Sequence, residues 1–230
     1  MSSIKMPKFK ERKAAQVTRL FIRCNGDKSF STRKLLKLIY LVDRKALELW
    51  GFPVTYDTPK NLPYEGLRLG HTYDLIDPPK KKSNALSMSM SDSYWYHYFS
   101  KSNEGHYTIP TELNPGTADL SRTEIELVGN VFDQFGYKTD EQLDDYCRTL
   151  PESRHSETPH GDIDWKVLLQ AVGWAGKDLA EIEKDLEFQV KFEGLITAGE
   201  IGNGLLRSPF TPDYVKDFYL QYSRDNNGSI

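Results

Sequence analysis

The stretch from Ser31 to Gly51, STRKLLKLIYLVDRKALELWG, restricts the fold more than any other part of the chain. Apolar side chains recur at Leu35, Leu38, Ile39, Val42, Ala46, Leu49 and Trp50. Spacings of three and four put them on one face of an α-helix. Leu36, Tyr40, Leu41 and Leu47 broaden that face, so the helix needs neighbours on more than one side. Ser31 or Thr32 can accept an orphan backbone N–H of the first turn. Gly51 offers the left-handed residue that closes such a helix, and Pro53 prevents its continuation. A helix apolar on two sides and punctuated at both ends belongs at the centre of a domain.

The remaining pattern is that of a mainly helical protein. A preceding helix is predicted from Phe9 to Cys24, with its stripe at Ala14, Val17, Leu20, Phe21 and Cys24. Prolines 53, 59 and 63 then predict an extended loop or a short irregular β segment. Helical spacing resumes in LRLGHTYDLID through Leu67, Leu69, Tyr73 and Ile76, and Pro78-Pro79 ends it. Lys80 to Ser91 is polar and predicts an exposed loop. Aromatic and β-branched runs at Tyr94–Phe99 and His106–Ile109 flank Ser102-Asn103-Glu104-Gly105, a β-hairpin signature and the one convincing sheet in the pattern. Ser121 with Glu124, and Thr139 with Gln142, form capping boxes for two further helices. A short helix around Trp165 follows, then near-heptad spacing from Leu179 to Phe192. A glycine-rich connector from Leu195 to Ser208 and a last amphipathic helix opened by Thr211-Pro212 complete the chain. The predicted fold class is therefore α+β, mainly α with a small antiparallel β-hairpin. A compact helical domain is expected over 1–172, with a helical extension packed on it over 173–230.

A formal net charge of −3 and a sequence pI near 6.0 give no support for non-specific nucleic-acid binding, which needs a basic face. Cys24 and Cys147 read as buried small hydrophobes in a reducing compartment. No window approaches the ~18 consecutive apolar residues of a membrane span. The basic start, MSSIKMPKFKERK, has no apolar run behind it, so a cytoplasmic protein is expected.

Chemistry-bearing motifs are sparse. The glycines from Gly199 to Gly204 lack the strand, helix and lysine of a phosphate loop. Cys147, His155, His160, Asp162 and Asp164 are metal-ligand types at irregular spacing, read as a solvated loop. No metal or cofactor is expected. Asp43, Arg44 and Asp74 would suit acid–base work if partly buried, but an ion pair or cap between packed helices is the preferred reading. Tyr94, Trp95, Tyr96, Tyr98 and Phe99 cannot all face inward from one strand. Either the hairpin is covered on both faces or it leaves an aromatic patch of the kind protein partners use. Tyr214, Phe218 and Tyr222 of the last helix offer a second set of anchors.

The segment KLLKLIYLVDRKALELWGFPVTYDTPKNLPYEGLRLGHTYDLI resembles the opening of the Panacea domain, the SocA-like antitoxin family. Lys34, Leu35, Lys37, Leu38 and Tyr40 carry its K-L-x-K-L-x-Y helix, and Tyr73, Asp74, Leu75 and Ile76 its later Y-D-hydrophobic step. LSRTEIELVGNVFDQFGYKTDEQLDDYCRTLPE resembles the second half, a helix ending in an aromatic-Gly turn before a second helix and a Leu-Pro stop. Glu65-Gly66-Leu67 stands where the family has His-Gly-Pro. Asp43 and Gly66 fall, with these motif residues, among those expected to be structural. The resemblance implies a non-enzymatic antitoxin of a bacterial or phage toxin–antitoxin pair, in settings that include phage defence. Its partner would be a cognate toxin, expected from the adjacent gene and neutralised by direct protein–protein contact. The alternatives are a proteolytic adaptor handing the toxin to a AAA+ protease, and an enzyme that reverses the toxin's modification.

Overall fold

The computed structural model describes residues 4–63, 66–77, 93–101, 107–154 and 161–197. At its centre lies helix α2, Thr32–Trp50, whose Leu35, Leu38, Ile39, Val42, Ala46 and Leu47 are fully or almost fully buried. The Ser31 side chain accepts from the Lys34 N–H, and Gly51 closes the helix at φ 77°. Around it pack α1 (Glu11–Cys24), α5 (Arg122–Phe135), α6 (Asp140–Thr149) and α7 (Trp165–Ala171). Both capping boxes form, Ser121 with Glu124 on α5 and Thr139 with Gln142 on α6. Gly136 ends α5 in an ordinary helical conformation (φ −61°); its hydrogen leaves room for the Phe132 ring, which a Cβ would meet at 2.5 Å.

Two small sheets complete the α+β architecture. In one, β1 (Phe30–Ser31), β5 (Tyr107–Pro110) and β4 (Phe99–Lys101) run antiparallel with β5 in the middle. The other corrects the sequence reading. Pro59–Leu62 (β2) pairs antiparallel with Gly66–Leu69 (β3), Asn61 facing Leu67, where helical spacing had been read from Leu67 onward. Leu67 and Leu69 are buried while Gly66 and Arg68 are half-buried, a period of two that belongs to a strand. Only Gly70–Ile76 is helical (α3). The far edge of β2 is covered by residues 161–163, through Asn61 N–H to Gly161 O at 2.6 Å and Ile163 N–H to Pro59 O at 2.9 Å.

The reverse correction applies to the aromatic run. Tyr94–Tyr98 is a short helix, α4, and the strand begins only at Phe99. Trp95 and Phe99, four apart, turn inward with ring centroids 4.6 Å apart; Tyr94 and Tyr98, also four apart, pair at 4.8 Å on the other side. One helical turn thus sorts four of the five rings into two pairs. Glu11 fixes the turn, its Oε1 accepting from Trp95 N–H at 2.8 Å and from the Ser93 hydroxyl.

After α7, capped by Asp164, α8 (Gly176–Thr197) returns along the body. Leu179, Ile182 and Leu186 join the buried core, and the Tyr56 hydroxyl donates to Gln189 at 2.9 Å. Cys24 is exposed, because α1 turns Phe21 and Ile22 inward instead; Cys147 is buried as expected. Among the described residues no helix is long and apolar enough to cross a membrane.

Candidate functional site

Positions 33, 37, 40 and 44 of α2 lie at spacings of four, three and four, which makes one polar stripe along an otherwise apolar helix. Each of its side chains meets a carboxylate from the second half of the chain. Arg33 and Lys37 pair with Asp144 of α6, the Lys37 Nζ at 2.8 Å from Oδ1. Lys37 also donates to the Leu67 carbonyl of β3 at 3.2 Å, tying helix to hairpin. The Tyr40 hydroxyl and the Arg44 Nε both donate to Oε1 of Glu152, each at 2.6 Å. Glu152 lies in the 3₁₀ turn Pro151–Arg154 and is wholly buried.

Burial sets the chemistry of the stripe. It lowers the Lys37 ammonium below the ordinary lysine range and holds the Tyr40 phenol well above its own. The Cys147 thiol beside them is pushed up to about 11, again by burial, so it stays protonated and is no nucleophile at neutral pH.

Where the stripe meets the hairpin, a cleft of about 360 Å³ opens. Lys37 and Asp144 line it with the apolar Leu62, Leu67 and Cys147, and Arg148 and Arg154 contribute two further cations. Gly66, at φ 67°, forms part of the wall. Asn61 donates to the Ser153 carbonyl, joining hairpin and 3₁₀ turn across one side.

Asp43, on another side of α2, is buried and accepts from the Val54 and Thr55 N–H groups, at 2.9 and 2.8 Å, and from the Thr55 hydroxyl. It gathers the loop that follows the helix. Arg44 is committed to Glu152, and Asp74 is exposed on α3. None of the three is among the described residues that line the cleft. Of the family-motif residues, Leu35 and Leu38 are core, Lys34 stands 5.6 Å over the Phe30 ring, and Tyr73 lies under the Arg68 guanidinium at 3.6 Å.

The aromatic candidates divide. Trp95 and Phe99 are each 2% exposed and so are core residues, not surface anchors. Tyr94, Tyr96 and Tyr98 remain half-buried at the surface, with Arg12 stacked 4.5 Å from the Tyr94 ring. Tyr214, Phe218 and Tyr222 lie outside the described residues, as do His155 and His160; Asp162 pairs with Lys60 and Asp164 caps α7.

The sequence profile of the family described as antitoxin SocA-like, Panacea domain, matches residues 35–152, just over half of the chain. The chain belongs to the SocA-like Panacea family. The Panacea match opens at Leu35 on α2 and closes at Glu152, the carboxylate that receives Tyr40 and Arg44. The ion-pair scaffold from Lys37 to Glu152 is thus contained in the Panacea domain. None of the curated proteins or solved structures matches the chain.

Sequence reasoning missed Asp144, Glu152 and Asp57 as organising carboxylates. Asp57 accepts from His71 and Thr72 N–H at 2.8 and 2.7 Å and seats the start of α3. The one available signal was for Glu152, which directly follows the Leu-Pro stop of the family pattern.

Proposed function

We propose that this chain is the antitoxin of a bacterial or phage toxin–antitoxin pair and silences its cognate toxin by direct protein–protein contact. The observation that carries the reading is the Panacea match over residues 35–152. The placement of the sequence's acid–base candidates is consistent with a binding protein, since Asp43 and Arg44 are spent on holding a loop and a turn. A stable complex would bury on the order of 1,600 Å². The half-buried tyrosines of α4 and the cationic cleft are the described surfaces suited to part of it.

Co-expression with the neighbouring open reading frame, followed by affinity purification and titration of the pair, tests this. Growth rescue that tracks a fixed-ratio complex is the expected result. Rescue with no complex and a shortened toxin half-life would replace contact with delivery to a protease. A neighbour that is not toxic would remove the antitoxin reading.

A further inference from the structure

We infer that the cleft between the β2–β3 hairpin and α6 receives an acidic peptide segment of the partner protein, with a carboxylate seated against Arg148 and Arg154. The inference rests on the antitoxin reading only for the identity of that partner. Among the described residues, three cations, Lys37, Arg148 and Arg154, line the cleft with one carboxylate, Asp144. That local excess stands out in a chain of net charge −3.

The three cations are not equivalent. Lys37 is held by Asp144 and the Leu67 carbonyl, which gives the cleft a fixed wall. Arg154 is exposed and, among the described residues, has no hydrogen bond or ion pair. Arg148 pairs with Asp145 one turn away at 3.1 Å, with the two side chains 67% and 75% exposed. Solvent-screened pairs of that kind contribute little, so Arg148 can exchange Asp145 for an incoming carboxylate at small cost. Guanidinium forks bind carboxylates with two parallel hydrogen bonds, which gives direction as well as charge. Leu62, Leu67 and Cys147 add an apolar wall for the side chains or backbone beside that carboxylate.

The geometry favours a peptide over a phosphate ester. Phosphate sites draw on backbone N–H groups at helix N-termini or glycine nests. Here α6 lines the cleft with Asp144, Cys147 and Arg148, from its middle and its C-terminal turns. A volume of about 360 Å³ lies at the small end of ligand sites and suits a few residues of chain.

The test uses the full chain and a fluorescein-labelled peptide, Gly-Asp-Glu-Leu-Asp-Gly, followed by anisotropy, with its Asn/Gln counterpart, ATP and inorganic phosphate as comparison probes. Saturable binding is expected, weakened about tenfold or more by Arg154→Glu, by Arg148→Glu and by the Asn/Gln peptide, and weakened by salt. Arg122→Glu, on the exposed face of α5, should leave it unchanged. Absence of saturable binding, indifference to Arg154→Glu, or displacement of the peptide by ATP or phosphate would each overturn the inference. In cells, the Arg148→Glu, Arg154→Glu double variant should keep its melting temperature and lose neutralisation. If the wild type neutralises and the double variant does so equally well, the cleft is wrong and the antitoxin reading stands. If the wild type fails to neutralise, the antitoxin reading is wrong and the peptide titration alone judges the cleft.

Discussion

Tyr40 donates its hydroxyl proton to Oε1 of Glu152 at 2.6 Å, although 112 residues separate them in the chain. Arg44 meets the same oxygen, so a single buried carboxylate joins the central helix to the turn after α6. Glu152→Ala would leave a buried phenol and a largely buried guanidinium without their partner. We expect it to lower the unfolding free energy by about 3–5 kcal/mol, and Tyr40→Phe by about 1 kcal/mol. Urea unfolding measures both; equal small losses would mean that Glu152 does not hold the turn.

Asp43 predicts a pH dependence. Burial pushes its carboxyl from 3.8 up to about 7, against the opposing pull of the Thr55 and Val54 hydrogen bonds. The folded chain therefore keeps a proton that the unfolded chain releases between about pH 4 and pH 7. This group's contribution to stability is greatest below about pH 4 and falls as pH rises to about 7, with no further change above. Asp57, also raised by burial, acts in the same sense. Asp43→Asn should flatten the fall in melting temperature between about pH 5 and about pH 7. An unchanged slope would assign the titration elsewhere.

Trp95 and Tyr96 are neighbours with opposite placements. Trp95→Ala empties a core site and should cost about 3–5 kcal/mol, whereas Tyr96→Ala should cost under about 1 kcal/mol. Any loss of neutralisation in Trp95→Ala should therefore parallel its unfolding midpoint. For Tyr96→Ala, a loss at an unchanged midpoint would place the ring at the partner. Denaturant curves run beside the growth assay separate the cases.

Gly51 combines two demands. Its φ of 77° is left-handed, and a Cβ there would stand 2.6 Å from Ile182 Cδ1 of α8. Gly51→Ala should destabilise by about 1–2 kcal/mol from the backbone alone, with a further cost from the collision. Ile182→Ala should relieve only that second part. A double-mutant cycle in which the two substitutions simply add would show that the end of α2 and α8 are not in contact.

What could be read in advance was local. Ser31, Gly51 and the two capping boxes act within a turn of chain, and each stands where its spacing placed it. The errors at 66–69 and 94–98 arose in windows too short to separate periods of two and four by composition. Leu67 with Leu69 fits a strand once Pro59–Leu62 is there to pair with it. Trp95 with Phe99 fits a helix once Glu11 accepts from its first turn. The pairing of Lys37 with Asp144, and of Tyr40 with Glu152, had no local trace, because each joins residues more than a hundred positions apart.

The Lys8 backbone N–H and the Lys10 ammonium both reach Glu193 near the end of α8, while Phe9 stacks on His71. The opening strap of the chain and its last described helix are thus clasped together. Deleting residues up to Lys10 would release the Glu193 end of α8 without altering a residue of it, while Leu179, Ile182 and Leu186 keep the rest of the helix in the core. A substitution in the strap at Lys8 or Lys10 would therefore be felt at Glu193, on the opposite end of the described chain.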